Sequence, residues 1–351
     1  MASNDPPEFR PVLESYSRPG SGLLRFEARG MGTLNVLLLG GASEKVLREG
    51  AQDALDCLVR LEQSLSKFLP SSDLSILNFL GATQPVNVGS DLLHLLLRSR
   101  EAWEITGGAF DPTVGGLLEA WGLVHMDGRI PDDAEIEKVL AATGMDHVIV
   151  REGLGTVQFD GPGVSLDLGG IAKGYAVDFL ADLLREREIP VGAVISGRSS
   201  VVTWGSPPDG DRWRFEVVDP SDAEEALRTL LVEPGAVSTS SASERRFLRG
   251  GREYGHVMNP RTGSPARGVK AVTVWTETAL MGDVLSTTLF VLGREGLVEH
   301  GAAERLVRKW HGGPGAPRAS FLLVVENPAV WGGFDVVLHH IGKPGFEVGA
   351  A

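Results

Sequence analysis

The sequence predicts an α+β fold in which mixed or antiparallel sheets are flanked by helices. Its strand-like segments occur in clusters between the helices, whereas a doubly wound parallel sheet needs regular alternation of strands and helices. The composition is that of a globular protein, since 42% of the 351 residues are hydrophobic and 23% are charged. This length is enough for one large core. No linker rich in Pro, Ser or charge divides the chain, which we therefore treat as a single domain.

Capping residues and apolar spacing predict six helices. Ser43 can cap the first helix, in which leucine, valine and alanine recur near helical spacing. Gly107 and Gly108 end the second helix, and Pro131 opens the third. The predicted helices comprise residues 43–67, 90–106, 131–143, 171–188, 279–292 and 294–310.

Strands are predicted where short apolar and β-branched runs lie between turn residues. The first two strands, residues 24–29 and 34–39, form a pair joined by Gly30, Met31 and Gly32. Residues 311–317, rich in Gly and Pro, are predicted to be a flexible connection. The remaining predicted strands comprise residues 147–151, 156–160, 163–167, 191–195, 201–204, 213–218, 227–232, 245–249, 269–275, 320–325 and 334–338.

Composition also narrows the possible partners. The net charge of −13 argues against nucleic acid, because phosphate backbones are bound mainly by Lys and Arg. The single cysteine, Cys57, excludes an intramolecular disulfide and a Cys-rich zinc site. No apolar run approaches the ~20 residues of a membrane span. The N-terminus as written has no signal peptide or lipobox, which predicts a cytoplasmic protein, or an exported one if a leader has been removed.

The first candidate site is the segment 167–175, where a strand runs into two glycines and then a helix. Glycines let the backbone approach a ligand, and the first N–H groups of a helix can bind anionic oxygens. Lys173 lies in the first turn, where the helix dipole disfavours a cation. We therefore expect it to pair with a phosphate or with Asp167. The spacing is not that of a P-loop, and a plain tight turn explains the glycines equally well.

The second candidate site is His256, which precedes the turn-forming run Pro260-Arg261-Thr262-Gly263. A histidine beside a rigid loop can exchange a proton with a phosphoester oxygen. The alternative is a structural histidine that bonds to backbone carbonyls. The nearby run 244–246, Glu-Arg-Arg, is predicted to be a solvated face.

The third candidate site combines Asp283, Ser286 and Thr287. On a helix, Asp283 and Thr287 share one face, with Ser286 beside them. A carboxylate with one or two hydroxyls suits Mg²⁺, which takes few protein ligands and completes its shell with water and substrate phosphate. The alternative is that the hydroxyls bond back to carbonyls of their own helix. We expect Asp283 to face the surface, so that its replacement leaves a folded protein.

Taken together, these constellations resemble the ApbE family, the FAD:protein FMN transferases, from about residue 30 to residue 292. The resemblance implies one ApbE-like domain over residues 23–345 with a central cofactor cleft, preceded by an N-terminal extension over residues 1–22. The stretches that carry it are residues 29–33, 65–68 with 75–78, 107–114, 167–178, 256–263 and 283–293.

The resemblance implies Mg²⁺-dependent transfer of FMN from FAD to a Thr or Ser hydroxyl of a target flavoprotein, which forms a phosphoester and releases AMP. It assigns Asp283 and Thr287 as side-chain Mg²⁺ ligands, with Ser286 adjacent and the carbonyl of Gly170 as a further ligand. It places His256 near the reacting phosphate. Either His256 or Asp283 could take the proton of the acceptor hydroxyl.

The resemblance also implies residues that contact FAD. Asp167 and Lys173 match positions that contact FAD directly. Further positions that line the flavin or adenine sites are Met31, Phe68, Ala109, Phe110, Asp111 and Met258.

Three places depart from the family pattern: Asn259, residues 196–200 and residues 238–243, which match the family's Ser-rich strand only loosely. Asn259 stands where the family usually has Asp, and residues 196–200 replace a more usual Asn-x-Gly-Gly-Asn run. These departures leave two alternatives open. One is an FAD pyrophosphatase, with water as the acceptor, and the other is an FAD-binding protein without catalytic activity.

Overall fold

The structure is a computed structural model that describes residues 9–11, 22–125, 127–208, 210–218, 226–242, 245–298, 301–311, 316–327 and 333–349. The helices are α1 (Glu44–Leu65), α2 (Asp73–Leu80), α3 (Ser90–Thr106), α4 (Gly115–Ala120), α5 (Asp133–Leu140), α6 (Ala172–Glu186), α7 (Ala279–Val298) and α8 (Ala302–Trp310).

The strands are β1 (Phe9–Pro11), β2 (Leu23–Gly30), β3 (Thr33–Gly40), β4 (Val86–Asn87), β5 (Val148–Arg151), β6 (Thr156–Phe159), β7 (Val191–Ser196), β8 (Ser200–Trp204), β9 (Trp213–Val218), β10 (Ala226–Val232), β11 (Gly235–Ser241), β12 (Arg246–Arg249), β13 (Arg252–Gly255), β14 (Met258–Asn259), β15 (Ser264–Pro265), β16 (Val269–Thr276), β17 (Ala319–Glu326), β18 (Phe334–Ile341) and β19 (Phe346–Gly349).

The main sheet has eight antiparallel strands in the order β18-β17-β16-β11-β8-β7-β3-β2. Helices α1, α6 and α7 cover one face, and a four-stranded sheet, β1-β9-β10-β19, covers the other. Strand β3 illustrates the layering: Leu37 and Leu39 pack against α1 and α6, while Leu38 packs against the second sheet. Successive side chains of a strand point to opposite faces, so a strand between two layers is apolar at nearly every position. The predicted α+β class is confirmed.

The prediction of a strand over residues 163–167 is wrong. Its backbone makes one isolated bridge to Val114 and otherwise bonds to groups outside any strand. The Asn78 amide donates to the carbonyl of Leu166 and accepts from its N–H, at 2.9 and 2.8 Å, and Asp167 N–H donates to Pro112 O at 2.7 Å. The Asn78 side chain thus provides the hydrogen bonds to the Leu166 backbone that a neighbouring strand would otherwise provide.

The sequence analysis did not assign β11, although it lies in the middle of the main sheet. This strand reads Gly-Ala-Val-Ser-Thr-Ser-Ser and lacks the β-branched or aromatic runs that mark a strand. Its hydroxyls have partners: Thr239 Oγ1 lies 3.0 Å from Thr273 Oγ1, and Ser240 Oγ lies 2.9 Å from Ser286 Oγ. This polar strand can therefore lie in the interior, because side chains of neighbouring elements provide hydrogen-bond partners for its hydroxyls.

Residues 9–11 of the expected extension form β1, which pairs with β9. Residues 1–8, 12–21 and the connecting residues 312–315 lie outside the described parts of the chain. The domain boundary at residue 22 stays a prediction. Within the described residues, no helix combines the length and apolar character that crossing a bilayer requires.

Candidate active site

Every residue predicted for the site lines one cavity. It lies between the helical layer, β11 and the loops that follow α1, α3 and β13. The predicted residues that line it are Met31, Phe68, Ala109, Phe110, Asp111, Asp167, Gly170, Lys173, His256, Met258, Asp283, Ser286 and Thr287. The segments 167–173, 256–258 and 283–287 are distant in the chain and meet here.

Asp283 lies on the first half of α7 and is only 6% exposed. Its Oδ2 accepts a hydrogen bond from Gly174 N–H and its Oδ1 accepts one from Ser200 Oγ, both at 2.7 Å. Burial raises the pKa of this carboxyl above its usual range, although Lys173 and the hydrogen bonds oppose the effect. The expectation that Asp283 faces the surface is therefore wrong, because α7 packs between the main sheet and α6.

The start of α7 is fixed by α6. Both oxygens of Asp178 accept helix-capping hydrogen bonds, from Ala279 N–H and Leu280 N–H at 2.8 Å each. A Cβ at Gly174 would lie 2.3 Å from Ala279 O, so the two helix backbones touch at this glycine. This contact brings the N–H of Gly174 to Asp283 and sets the direction of that carboxylate.

Besides that of Ser200, three further hydroxyls form a cluster in the cavity that Asp283 lines. Ser240 Oγ lies 2.9 Å from Ser286 Oγ and 3.4 Å from Thr287 Oγ1. Ser286 Oγ also donates to Asp283 O at 3.1 Å, so the alternative of a bond back to the helix holds for this residue. A Cβ at Gly170 would lie 3.2 Å from Thr287 Oγ1, so the glycine backbone approaches the threonine hydroxyl closely. The cluster offers oxygen donors only, the type that a hard cation prefers.

Asp167 is paired with Lys67, a residue that the sequence analysis did not single out. Burial alone would raise the pKa of Asp167, but the Lys67 ammonium, the Gly169 N–H and the Arg245 charge together outweigh it and hold the pKa below the usual range. The charge of Lys173 also acts on Asp283, whose pKa it lowers. Lys67 itself lines the cavity, next to Ser66. The spacing of residues in the sequence does not predict its contact with Asp167, because the two are one hundred positions apart.

Asp111 and Phe68 lie at other parts of the cavity wall. Asp111 Oδ1 accepts hydrogen bonds from Thr113 N–H at 2.8 Å and Thr113 Oγ1 at 2.5 Å. Burial raises the pKa of Asp111 to about 6, although these bonds oppose it. The Phe68 ring is 54% exposed, and the Lys67 ammonium and the Arg245 guanidinium lie 5.2 and 5.6 Å from its centroid. Phe68 therefore presents a flat apolar surface at the edge of the cavity.

His256 lines the cavity immediately after β13 and is partly exposed. The loop beyond it is held by Asn259, whose Oδ1 accepts from Arg261 N–H at 3.0 Å and whose carbonyl accepts from Gly263 N–H at 3.0 Å. Gly263 has φ of 67°, a conformation that favours glycine. Asn259 therefore stabilises the turn through these hydrogen bonds, although it lacks the charge of the more usual Asp.

The run 196–200 contributes a residue that sequence reasoning missed. Ser200 carries no catalytic signature in the sequence, yet its hydroxyl is the one that bonds to Asp283 Oδ1. Ser199 lies beside it on the cavity wall. In the parts of the chain that the structure describes, no three His, Cys, Asp or Glu side chains converge as a metal site. A cation in this cavity would therefore depend on one carboxylate, on hydroxyls and on backbone oxygens.

An antiparallel sheet backs a cavity lined by glycines, hydroxyls and buried carboxylates. These features define a protein suited to bind a phosphate-containing ligand together with a hard cation. The model of the ApbE family matches residues 31–306. The chain belongs to the ApbE family, and the resemblance identified from its motifs is confirmed.

Relatives and solved structures agree with this assignment. A protein of Klebsiella pneumoniae strain 342 named FAD:protein FMN transferase is 31% identical over 247 residues, which cover 70% of this chain and 76% of the relative. A protein of Escherichia coli K12 with the same name is 30% identical, over 77% of this chain and 78% of its own. The crystal structure of the ApbE protein of Thermotoga maritima has a TM-score of 0.77 and 30% identity, over 90% of this chain and 96% of that one.

Proposed function

We propose that this protein transfers FMN from FAD to a Ser or Thr hydroxyl of a target flavoprotein, in an Mg²⁺-dependent reaction that releases AMP. The observation that carries the proposal is the meeting of three distant segments, 167–173, 256–258 and 283–287, at one cavity. The relatives that are named FAD:protein FMN transferase support the reaction class.

The residues proposed for Mg²⁺ are Asp283, Thr287, Ser286 and the carbonyl of Gly170. The close approach of Gly170 to Thr287, and the position of Ser240 beside both hydroxyls, support this assignment. Oxygen donors of this kind fit Mg²⁺, which keeps several of its water molecules. When bound, the ion supplies positive charge beside the pyrophosphate oxygens.

FAD is proposed to occupy the rest of the cavity. Lys173 is assigned to its phosphates, since the charge of Lys67 is already engaged with Asp167. Phe68 offers a ring on which a planar heterocycle can stack. The further proposed FAD contacts are Met31, Ala109, Phe110, Asp111, Asp167 and Met258.

We assign the general base to His256. Asp283 is already assigned to Mg²⁺ and accepts two hydrogen bonds within the protein, whereas the partly exposed imidazole of His256 lines the same cavity and belongs to the commonest type of general base. In the proposed step, the acceptor oxygen bonds to the phosphorus of the FMN moiety while the bond from that phosphorus to the AMP phosphate oxygen breaks. The proton of the acceptor hydroxyl passes to His256, and AMP leaves.

The direct test is to incubate the protein with FAD, Mg²⁺ and a flavoprotein that carries a Ser or Thr acceptor. Mass spectrometry of the acceptor should show the added mass of FMN, with one AMP released for each adduct. Release of AMP and free FMN without any acceptor would instead identify an FAD pyrophosphatase. Tight FAD binding with no AMP release over hours would identify a binding protein without catalysis.

His256→Gln is expected to lower the transfer rate by about 10²- to 10⁴-fold, the usual contribution of a general base. FAD affinity, measured by flavin fluorescence, should change little because the proton transfer is not needed for binding. The matched control is His125→Gln, at an exposed histidine that does not line the cavity. A His256→Gln enzyme as fast as the His125→Gln control would exclude His256 as the base.

Lys173→Ala is expected to weaken FAD binding by about 10- to 100-fold, the equivalent of one hydrogen bond to a charged group. The unfolding midpoint should shift less than FAD affinity does, because the ammonium group is assigned to the ligand. Lys45→Ala is the control, at a lysine whose side chain is 83% exposed. Equal FAD affinity in the two variants would remove Lys173 from the proposed site.

A further inference from the structure

The turn between β7 and β8 carries three serines in three different environments. Ser196 and Ser200 form the last pair of the two strands, and residues 197–199 connect them. The carbonyl of Ser199 accepts a hydrogen bond from Thr239 N–H at 2.7 Å, which ties the end of the turn to β11. The main sheet therefore fixes the position of Ser199.

The side chain of Ser199 is a buried polar group in the cavity wall. Ser199 is 7% exposed and lines the cavity. Among the residues that the structure describes, none forms a hydrogen bond with its Oγ. A buried hydroxyl without a partner costs free energy, because it has given up its hydrogen bonds to water. The Ser199 hydroxyl can therefore bond to a ligand without first breaking a bond within this part of the protein.

In this respect Ser199 differs from the rest of the cavity wall. Each of the other hydroxyl side chains that line the cavity forms a hydrogen bond within the protein; these residues are Ser66, Thr239, Ser240, Ser286 and Thr287. Since native proteins satisfy most of their buried polar groups, an exception in a cavity points to a ligand.

The neighbours of Ser199 show which end of the cavity it occupies. Consecutive Cα atoms lie about 3.8 Å apart, and the next residue, Ser200, donates through its Oγ to Asp283 Oδ1 at 2.7 Å. Thr239, which bonds to the Ser199 carbonyl, immediately precedes Ser240 of the hydroxyl cluster. Ser199 is therefore close to the carboxylate and hydroxyls that are proposed to hold Mg²⁺ beside the pyrophosphate.

We propose that the Ser199 hydroxyl donates a hydrogen bond to a phosphate oxygen of FAD. The inference rests on the proposed function, which puts FAD in this cavity. A phosphate oxygen only accepts hydrogen bonds, and a serine hydroxyl can rotate to donate one. A hydrogen bond to a charged acceptor is stronger than one between neutral groups, so this single contact contributes measurably to FAD affinity.

The proposal gives a role to one of the departures from the family pattern. In the more usual run, Asn-x-Gly-Gly-Asn, the residue that matches Ser199 is a glycine, which has no side chain with which to donate. The serine therefore adds a phosphate contact that the usual run does not supply from a side chain. The contact distinguishes this chain from relatives that keep the glycine.

The test variant is Ser199→Ala, which removes the hydroxyl and keeps the Cβ. We expect the Kd for FAD to rise by about 10- to 100-fold, the equivalent of one hydrogen bond to a charged group. The measurement is a flavin fluorescence titration at limiting and at saturating Mg²⁺, and the ratio of the Kd values of variant and unmodified protein should be the same at both. The unfolding midpoint of the ligand-free protein should not fall, because the hydroxyl loses no partner.

Two serines of the same turn provide matched controls. Ser196 is fully buried and its Oγ likewise has no partner in the described parts of the chain, but it does not line the cavity. Ser196→Ala should therefore keep both the FAD affinity and the unfolding midpoint. Ser200→Ala removes the bond to Asp283 and should lower the unfolding midpoint, which shows that the assay detects the loss of a partnered hydroxyl.

The contact with phosphate would be refuted if Ser199→Ala and Ser196→Ala bound FAD equally well. It would also be refuted if Ser199→Ala lost as much stability as Ser200→Ala, since the hydroxyl would then have a structural partner. A loss of affinity only at saturating Mg²⁺ would assign the hydroxyl to a water molecule of the ion and not to phosphate. An unmodified protein that binds FAD but transfers no FMN would count against the proposed function, and the affinity comparison would still decide the role of Ser199.

Discussion

Replacing Asp283 by asparagine is expected to lower FMN transfer by at least about 10²-fold, a loss comparable to removal of one preorganised electrostatic contact in an active site. The amide keeps the shape of the side chain but loses the charge proposed to hold Mg²⁺. Raising the Mg²⁺ concentration should therefore restore little activity. The measurement is the initial rate of adduct formation over a range of Mg²⁺ concentrations.

The same substitution is also expected to cost stability, because Asp283 is buried and accepts two hydrogen bonds. The amide has one oxygen in place of two, so one of the donors, Gly174 N–H or Ser200 Oγ, loses its acceptor. We expect the free energy of unfolding to fall by about 1–3 kcal/mol. Asp133→Asn, at an exposed position in the first turn of α5, is the control for both measurements. An Asp283→Asn protein with the transfer rate of this control would refute the metal assignment.

Gly174→Ala is expected to lower stability through a clash between two helix backbones. Its Cβ would lie 2.3 Å from Ala279 O and 2.8 Å from Leu280 N, and these are backbone atoms that no rotamer change can move. Alanine favours a helix by about 1 kcal/mol relative to glycine, but overpacking of this kind costs about 3 kcal/mol. We therefore expect a net fall of about 2 kcal/mol in the free energy of unfolding, measured with urea.

Activity should fall in the same variant, because Gly174 N–H fixes the direction of Asp283. The control is Gly161→Ala, where nothing lies within 4 Å of the added Cβ. That change should stay within about 0.5 kcal/mol of the starting protein, as surface substitutions usually do. Equal stabilities of the two alanine variants would show that α6 and α7 do not touch at Gly174.

Much of the site could be predicted from local sequence. The spacing of Asp283, Ser286 and Thr287 puts them on one side of a helix whatever the rest of the chain does. The glycines at 169–170 mark a turn that a ligand can approach, and Ser43 caps α1 as predicted. These features depend on residues within about one helical turn of each other, so a single sequence is sufficient to find them.

Other features depend on contacts between distant residues. The pairing of Lys67 with Asp167 follows from how the end of α1 meets the turn before α6. The role of Ser200 follows from the antiparallel placement of β8 beside β11 and under α7. A strand predicted at 163–167 became an irregular segment because Asn78 bonds to its backbone. No spacing rule connects residues about a hundred positions apart.

By itself, the sequence predicted the α+β class from helix periodicity and turn residues, which are local properties, and its short motifs identified the ApbE family. The resemblance to that family then implied most of the residues that line the cavity. The tertiary structure decided which groups pair, which carboxylates are buried and where the polar strand β11 can lie. It also revealed that Asp283 is enclosed between α6, α7 and β8. The physical reason is that burial and electrostatic pairing depend on the distances between whole elements, which the packing of the complete chain sets.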